Sequence, residues 1–230
     1  MVTIASNLQA VRARIARAAQ AAGRHAGAIA LVAVSKTFPA EHIAQAHAAG
    51  QRAFGENYAQ EALEKITLLT YLSPFPTWHF IGPIQSNKTS LIATHFQWVH
   101  SVERDKIAQR LNAARPEGLP PLDVCIQVNV SGEAAKSGVT PGAEVQLADA
   151  IARLPRLRLR GLMAIPEPTL DTALQRRRFA LLRDLKDRLA ARGHALDTLS
   201  MGMSDDLEAA IAEGATLVRV GTAIFGKRTA

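Results

Sequence analysis

The chain has 230 residues, 48% of them hydrophobic, and its 27 Lys and Arg against 20 Asp and Glu give a net charge of +7, which indicates affinity for anions. No stretch approaches the roughly 18 consecutive apolar residues of a membrane helix, and no apolar leader with a cleavage site opens the chain, so we expect a cytoplasmic protein. The one cysteine, Cys125, excludes an internal disulfide and lies in an apolar run that indicates core packing.

Residues 1–24 are predicted to form an N-terminal helix. Leu8, Val11 and Ile15 fall on one helical face, which predicts an amphipathic helix packed on the rest of the domain. We interpret the arginines of this region as its solvated face; a transit peptide and a nucleic-acid-binding helix are the alternatives. These arginines are Arg12, Arg14, Arg17 and Arg24.

The first predicted strand covers residues 29–35 and ends directly before Lys36. Its run of six apolar residues predicts a strand buried on both faces, so Lys36 emerges at the carboxyl-terminal end, where α/β proteins place their chemistry. A lysine amine there can form a Schiff base once burial or a nearby cation releases its neutral form. The alternative is a lysine whose stem lies on the strand end while its ammonium reaches water.

Short β-rich runs alternate with helical stretches eight times along the chain, and no linker separates them. Eight such units in roughly 250 residues predict a (β/α)8 TIM barrel, formed by residues 1–230 as a single domain with an extra N-terminal helix. A doubly wound open sheet is the alternative. The predicted strands are 29–35, 53–57, 78–82, 97–102, 123–129, 157–165, 197–202 and 217–221.

The ends of the last two predicted strands have the composition of a phosphate site. Residues 200–204 (Ser-Met-Gly-Met-Ser) lead into a helix, and Gly221 and Thr222 follow strand 8. Small residues let backbone N–H groups approach an anion, hydroxyls add donors, and phosphate sites recur after strands 7 and 8 of this fold. The alternative is that Ser204 and Asp205 only cap a helix.

Arg219 lies within the last predicted strand, on the opposite face from Val218 and Val220. A charge in a strand that is otherwise buried needs a partner. That partner is a ring nitrogen or a phosphate if Arg219 binds a ligand, and a carboxylate elsewhere in the barrel if it is structural.

Residues 82–89 lack one glycine of the Walker A pattern, because Asn87 stands in its place. Pro83 also removes an N–H donor, so we do not expect a nucleotide triphosphatase and interpret Lys88 as a basic residue near the barrel mouth. The histidines show no metalloprotease spacing, and a lone cysteine excludes a thiolate zinc cluster, so we predict no metal site.

Motifs spread in order over nearly the whole chain resemble the pyridoxal phosphate homeostasis proteins. The set is far more specific than any one of its members. The motifs are residues 33–37 (Ala-Val-Ser-Lys-Thr), 54–58 (Phe-Gly-Glu-Asn-Tyr), 78–82 (Trp-His-Phe-Ile-Gly), 85–88 (Gln-Ser-Asn-Lys), 161–165 (Gly-Leu-Met-Ala-Ile), 200–204 and 218–222 (Val-Arg-Val-Gly-Thr).

The resemblance implies a fold like the N-terminal barrel of alanine racemase and a pyridoxal 5'-phosphate cofactor held as an internal aldimine on Lys36. It also implies that Asn57 and Met163 line the cofactor and that Arg219 faces the pyridine nitrogen. The residues implied to hold the phosphate are Ser200, Ser204, Gly221 and Thr222.

Two basic positions of the family bear on transfer of the cofactor. Phe38 stands where some relatives carry a second basic residue, so a second lysine for transfer is not available there. Lys136 matches the family pattern and is the better candidate, with an exposed loop lysine as the alternative.

A non-catalytic role in cofactor homeostasis is our leading interpretation. An arginine opposite the ring nitrogen discourages the pyridinium that withdraws electrons best, and racemases compensate with two placed bases. The two-domain relatives complete their site with a second domain, for which we find no residues in this chain. We therefore expect storage or delivery of the cofactor, with apo-enzymes as recipients, no catalytic residue, and a monomer.

Two other function classes stay open. An amino-acid racemase is the first, and it would require a base on the face opposite Lys36. A basic nucleic-acid-binding protein is the second, although no aromatic stacking platform accompanies the arginines.

Overall fold

The structure is a computed structural model that describes residues 3–133 and 137–226. Eight parallel strands pair in chain order, and β1 closes on β8, with Val32 opposite Arg219 in the register. The protein is therefore a TIM barrel with an N-terminal helix, which confirms the predicted fold class. The strands are β1 (Ala30–Val34), β2 (Ala53–Glu56), β3 (Thr77–Phe80), β4 (Trp98–Val102), β5 (Leu122–Gln127), β6 (Leu157–Met163), β7 (Thr198–Ser200) and β8 (Leu217–Val220).

The helices form the outer layer of the barrel. The longest of them, α7 (Thr172–Ala191), contacts β6 and β7 and buries Phe179 and Leu182. They are α1 (Ile4–Ala21), α2 (Ala40–Ala48), α3 (Ala59–Leu68), α4 (Thr89–His95), α5 (Asp105–Ala114), α6 (Glu144–Ile151), α7 (Thr172–Ala191), α8 (Leu207–Ala212) and α9 (Thr222–Phe225), with 3-10 turns at Ala26–Ala28 and Ser86–Lys88.

All eight predicted strands exist, and each is shorter than predicted. In seven of them the lost residues include the carboxyl end, because those residues belong to the loops that form the mouth. The expectation that strand 1 is buried on both faces is wrong at its ends. Ala30 is exposed and Leu31 half-buried because both line a groove beside α1. Val34 is half-buried because it lines the cavity at the mouth.

Helix α1 packs on the barrel through the predicted apolar face, and Leu8, Val11 and Ile15 are buried. Arg12 and Arg17 are exposed, as the interpretation of a solvated face predicts, whereas Arg14 and Arg24 are half-buried. Arg24 lies beyond the last residue of α1. Arg12 donates to the carbonyl of Ala49, and Arg24 donates to the carbonyl of Ile211. Long arginine stems let the guanidinium groups reach backbone acceptors beyond the helix itself.

Cys125 is buried in β5, as predicted, and burial raises the pKa of its thiol above the ordinary value. Across the residues that the structure describes, no helix is both long enough and apolar enough to span a membrane.

Candidate cofactor site at the barrel mouth

A cavity of about 610 Å³ opens at the carboxyl-terminal ends of the strands. Parallel strands of a barrel all direct these ends to the same face, so residues distant in sequence converge there. The cavity is lined by Arg14, Val34, Lys36, Phe38, Asn57, Ile81, Ile165, Met203, Ser204, Asp205, Arg219, Gly221, Thr222 and Ala223.

Six of the eight predicted site residues line this cavity, and two do not. Met163 and Ser200 are fully buried beneath it, at the last positions of β6 and β7. The hydroxyl of Ser200 accepts a hydrogen bond from Arg219, which lines the cavity. The six lining residues are Lys36, Asn57, Ser204, Arg219, Gly221 and Thr222.

Lys36 follows β1 and is half-buried at the mouth. The residues on either side of Lys36 are fixed by contacts outside the cavity. Ser35 is fully buried, and the backbone N–H of Thr37 donates to Glu61 Oε1 at 2.6 Å. Since side chains alternate along a strand, the burial of Ser35 on the outer side directs Lys36 to the inner side. The strand end therefore presents the amine to the cavity.

Arg219 enters the same cavity from the middle of β8 and is 3% exposed. Its Nη1 donates to Ser200 Oγ at 2.6 Å and its Nη2 donates to the carbonyl of Ala164 at 2.9 Å. Burial lowers the pKa of the guanidinium to about 10, and the nearby carboxylate of Asp206 opposes that shift. Among the ion pairs of the described residues none involves Arg219, so neutral groups hold this cation, rather than the carboxylate of the structural alternative.

A chain of buried polar side chains continues from Arg219 into the barrel, and the sequence reasoning missed it. His100 Nδ1 lies 2.7 Å from Ser200 Oγ, and His100 Nε2 lies 2.9 Å from His79 Nδ1. Arginine only donates, so Ser200 Oγ accepts from Arg219 and its own hydrogen is available to His100 Nδ1; His100 Nε2 then donates to His79 Nδ1. This order assigns a neutral tautomer to both rings, in agreement with the burial that lowers the pKa of each.

The strand 7 and strand 8 loops form the other end of the cavity. The hydroxyls of Ser204 and Thr222 lie there, and the N–H of Met203 donates to Asp206 Oδ1 at 2.6 Å. Gly221 packs closely on β1, since a Cβ atom there would lie 3.2 Å from the carbonyl oxygen of Val34. Small side chains and hydroxyls at this end suit an oxyanion.

Arg14 of α1 also lines the cavity, although its sequence context suggested a solvated face. Its Nη1 donates to the carbonyl of Ser204 at 2.6 Å, and its guanidinium pairs with Glu208. The hydrogen bond to Glu208 raises the pKa of Arg14 further. Because no periodicity links residue 14 to residue 204, only the closed fold could reveal this contact.

Asn57 carries an unsatisfied group on the cavity wall. Its side-chain oxygen is buried and has no hydrogen-bond partner among the described residues. Gly82 packs against the backbone of Asn57, because a Cβ atom at Gly82 would be 2.3 Å from the backbone carbonyl oxygen of Asn57. A buried polar atom without a partner is costly, so this position is suited to a ligand with a polar group of its own.

Two other predictions bear on the site. Lys136 lies outside the described residues. Within the described part of the chain no group of three or more His, Cys, Asp or Glu side chains could hold a metal ion. Lys88 lies near the mouth, as predicted, and lines a smaller cavity of about 280 Å³ with Asn57 and Tyr58.

Comparisons with known proteins agree over almost the full chain. The family model described as alanine racemase, N-terminal domain, matches residues 6–229. A pyridoxal phosphate homeostasis protein of Pseudomonas aeruginosa is 64% identical, with 99% of this chain and 97% of that protein covered. The pyridoxal phosphate homeostasis protein of Escherichia coli K12 is 53% identical, with 99% and 98% covered.

Solved structures show the same architecture. PipY of Synechococcus elongatus without PLP is 38% identical, has a TM-score of 0.87, and covers 97% of this chain and 100% of its own. PipY with PLP bound is 37% identical, with a TM-score of 0.84 and the same coverage. Alanine racemase from Corynebacterium glutamicum, 17% identical with a TM-score of 0.67, shares the fold over 97% of this chain and 62% of its own.

Proposed function

Since the chain belongs to the pyridoxal phosphate homeostasis proteins, we propose that it binds pyridoxal 5'-phosphate through a Schiff base on Lys36 and holds it for storage or delivery. One observation carries this proposal: a single cavity brings together the amine of Lys36, the buried cation of Arg219 and the hydroxyl-rich loops after β7 and β8. When bound, pyridoxal phosphate supplies an aldehyde that reacts with amines and a ring that withdraws electrons.

Lys36 and Arg219 bind opposite parts of the ligand in this proposal. Lys36 supplies the amine that bonds to the aldehyde carbon, with loss of one water. Arg219 donates a hydrogen bond to the ring nitrogen and keeps that nitrogen an acceptor, because a guanidinium at a pKa of about 10 retains its own protons at neutral pH. Asn57 contacts the polar edge of the ring, and Met163 supports the ring from beneath.

The loops after β7 and β8 bind the phosphate. Ser204 and Thr222 donate their hydroxyls, and Gly221 allows the backbone to approach the phosphate oxygens. Ser200 acts on the ligand through Arg219, because its hydroxyl already bonds with that guanidinium and with His100.

Carriage of the ligand is favoured over racemisation by the side chains of the cavity. A racemase needs two placed bases, one on each face of its substrate. Of the described residues that line the cavity, none is His, Tyr, Cys or Glu, and the carboxylate of Asp205 belongs to the phosphate end. The open mouth also leaves Lys36 accessible to a recipient apo-enzyme.

The absorption spectrum of the purified protein tests the proposal. We expect pyridoxal phosphate to produce a visible band that borohydride removes while fixing the ligand to the peptide that contains Lys36. Lys36→Ala should lose the band and the fixation, whereas Lys88→Ala, a lysine of the neighbouring cavity, should keep both. A wild-type protein that develops no band with excess ligand contradicts the proposal.

A second assay separates carriage from catalysis. The protein loaded with ligand should restore activity to an apo-enzyme faster than an equal concentration of free pyridoxal phosphate does. Turnover of alanine or serine enantiomers that is lost in Lys36→Ala would instead support a racemase.

A further inference from the structure

A buried charged cluster lies directly behind Lys36, on the side of β1 that faces α3. Lys65 Nζ donates to the carbonyl of Ser35 at 2.8 Å, to Glu56 Oε1 at 2.8 Å and to Glu61 Oε1 at 2.5 Å. Ser35 Oγ donates to the same Glu56 oxygen at 2.7 Å. We call Glu56, Glu61 and Lys65 the rear cluster.

The rear cluster contacts the backbone on both sides of Lys36. Lys65 binds the carbonyl of the preceding residue, Ser35, and Glu61 accepts from the N–H of the following residue, Thr37, at 2.6 Å. Glu61 and Lys65 also pair with each other one helical turn apart on α3. One ion pair therefore holds both peptide groups that flank the amine-bearing residue.

The turn that is held in this way is strained. Thr37 has a φ of 67°, and among the described residues it is the only one other than glycine with a positive φ. A β-branched residue is a genuine outlier in that region, and such conformations persist only where the surroundings impose them. Strain of this kind is concentrated at ligand sites, where it fixes the direction of a side chain.

Two members of the rear cluster are buried, and removing their charges from water costs free energy. Glu56 is fully buried and the side chain of Lys65 is 7% exposed. Burial raises the pKa of the Glu56 carboxyl, and Lys65 opposes that shift. Replacing a buried ion pair such as Glu56 and Lys65 by apolar side chains of the same volume is often neutral or stabilising, so stability alone does not account for the pair.

We propose that Glu61 and Lys65 are positioning residues, which hold the strained turn at residues 35–37 and thereby fix the direction of the Lys36 amine into the barrel mouth. Neither residue touches the ligand. The ion pair acts through the backbone: the carbonyl of Ser35 and the N–H of Thr37 are its two points of attachment. This inference rests on the proposed function for the identity of the ligand, but the held turn is a property of the protein without ligand.

The test compares Glu61→Gln with Glu64→Gln, which makes the same chemical change on the exposed side of α3. Glu61→Gln replaces the charged acceptor of the Thr37 N–H by a neutral one and removes the pairing with Lys65. Because hydrogen bonds to charged groups are roughly twice as strong as neutral ones, we expect amide exchange of Thr37 in the ligand-free variant to be about 5-fold to 10-fold faster than in wild type.

The second measurement is the dissociation rate of pyridoxal phosphate, followed by transfer to a scavenging apo-enzyme. We expect Glu61→Gln to release the ligand about 10-fold faster, because a mobile turn no longer directs the amine. Glu64→Gln should match wild type within about twofold in both measurements. The thermal unfolding midpoint of each variant shows whether a change in global stability explains the result.

Two outcomes overturn the inference: unchanged exchange of Thr37 in Glu61→Gln, or faster exchange with an unchanged dissociation rate. A wild-type protein that binds no pyridoxal phosphate overturns the proposed function instead. Since the exchange measurement uses ligand-free protein, the two failures are distinguishable.

Discussion

The two ends of the barrel hold an arginine in opposite ways, buried at one end and half-buried at the other. At the mouth, Arg219 is bound by the hydroxyl of Ser200 and a carbonyl, and burial lowers its pKa. At the amino-terminal end, Arg160 pairs with Asp123 at 3.0 Å and Asp197 at 2.6 Å, and the hydrogen bond to Asp197 raises its pKa. The Arg160 guanidinium also lies 4.7 Å from the ring centroid of Trp98.

This difference separates a structural charge from a charge suited to binding. Arg160 is paired with two carboxylates, which offset its charge. Arg219 is held in place by neutral groups and keeps its positive potential inside the cavity. The comparison teaches that the groups paired with a cation, and not its place at a strand alone, indicate whether its charge is available to a ligand.

The largest effect that tests this comparison is the loss of ligand affinity in Arg219→Met. A hydrogen bond to a charged group contributes about 1.5–3 kcal/mol, so we expect the affinity for pyridoxal phosphate to fall by roughly 10-fold to 100-fold. Equilibrium titration followed by absorbance measures it, and circular dichroism checks that the variant folds.

Arg160→Met is the matched control at the closed end. It should leave the affinity unchanged and lower the free energy of unfolding by roughly 1–2 kcal/mol, because Asp123 and Asp197 lose their cation. Equal losses of affinity in the two variants would contradict the distinction between the two ends.

A smaller effect concerns the pH dependence of stability, through the histidines that lie between the two ends. Burial lowers the pKa of His79 from 6.5 to about 3. The unfolded chain therefore binds a proton that the folded protein excludes, so stability present above pH 6.5 is lost as the pH falls toward 3. At pH 5 this loss is about 2 kcal/mol for His79, measured by denaturant unfolding at pH 7 and pH 5.

His79→Asn keeps an acceptor for the His100 N–H and removes the titrating ring. The decrease in unfolding free energy between pH 7 and pH 5 should shrink by about 2 kcal/mol in this variant. The exposed His25→Asn should retain the wild-type decrease. An unchanged pH dependence in His79→Asn would show that protonation of His79 does not destabilise the folded protein.

The smallest effect concerns the phosphate end of the mouth. Ser204→Ala removes one neutral hydroxyl donor, so we expect the affinity for pyridoxal phosphate to fall by about 3-fold to 10-fold. Affinity for pyridoxal, which has no phosphate, should not change. Ser90→Ala, on the exposed side of α4, is the control. If Ser204→Ala lost the same affinity for both ligands, Ser204 would not bind the phosphate.

The fold could be predicted from the sequence because alternation between strands and helices is local. The apolar run at 29–35 and the glycine after the helix near residue 50 identify one unit, and eight repeats imply the barrel. Lys36, Asn57 and Arg219 could be selected because a barrel directs the ends of its strands to one mouth. Ser200 and Met163 match the family motifs but lie below the cavity, a difference of depth that no motif encodes.

Contacts between distant residues could not be predicted in the same way. Arg14 and Ser204 are far apart in sequence, and the alignment of His79, His100 and Ser200 depends on the stagger of three strands within the barrel. Lys65 likewise gives no sign in the sequence of its burial, which arises because α3 places it against Glu56 at the end of β2.

The sequence by itself determined the fold, the family and the two candidate cations of the mouth, Lys36 and Arg219, since periodicity and motifs are properties of neighbouring residues. Only the tertiary structure decided which cations meet carboxylates. Arg160 meets two and Arg219 meets none among the described ion pairs, because barrel closure sets which strand each side chain faces. Burial then fixes the electrostatic result, since a charge removed from water is governed by the groups packed against it.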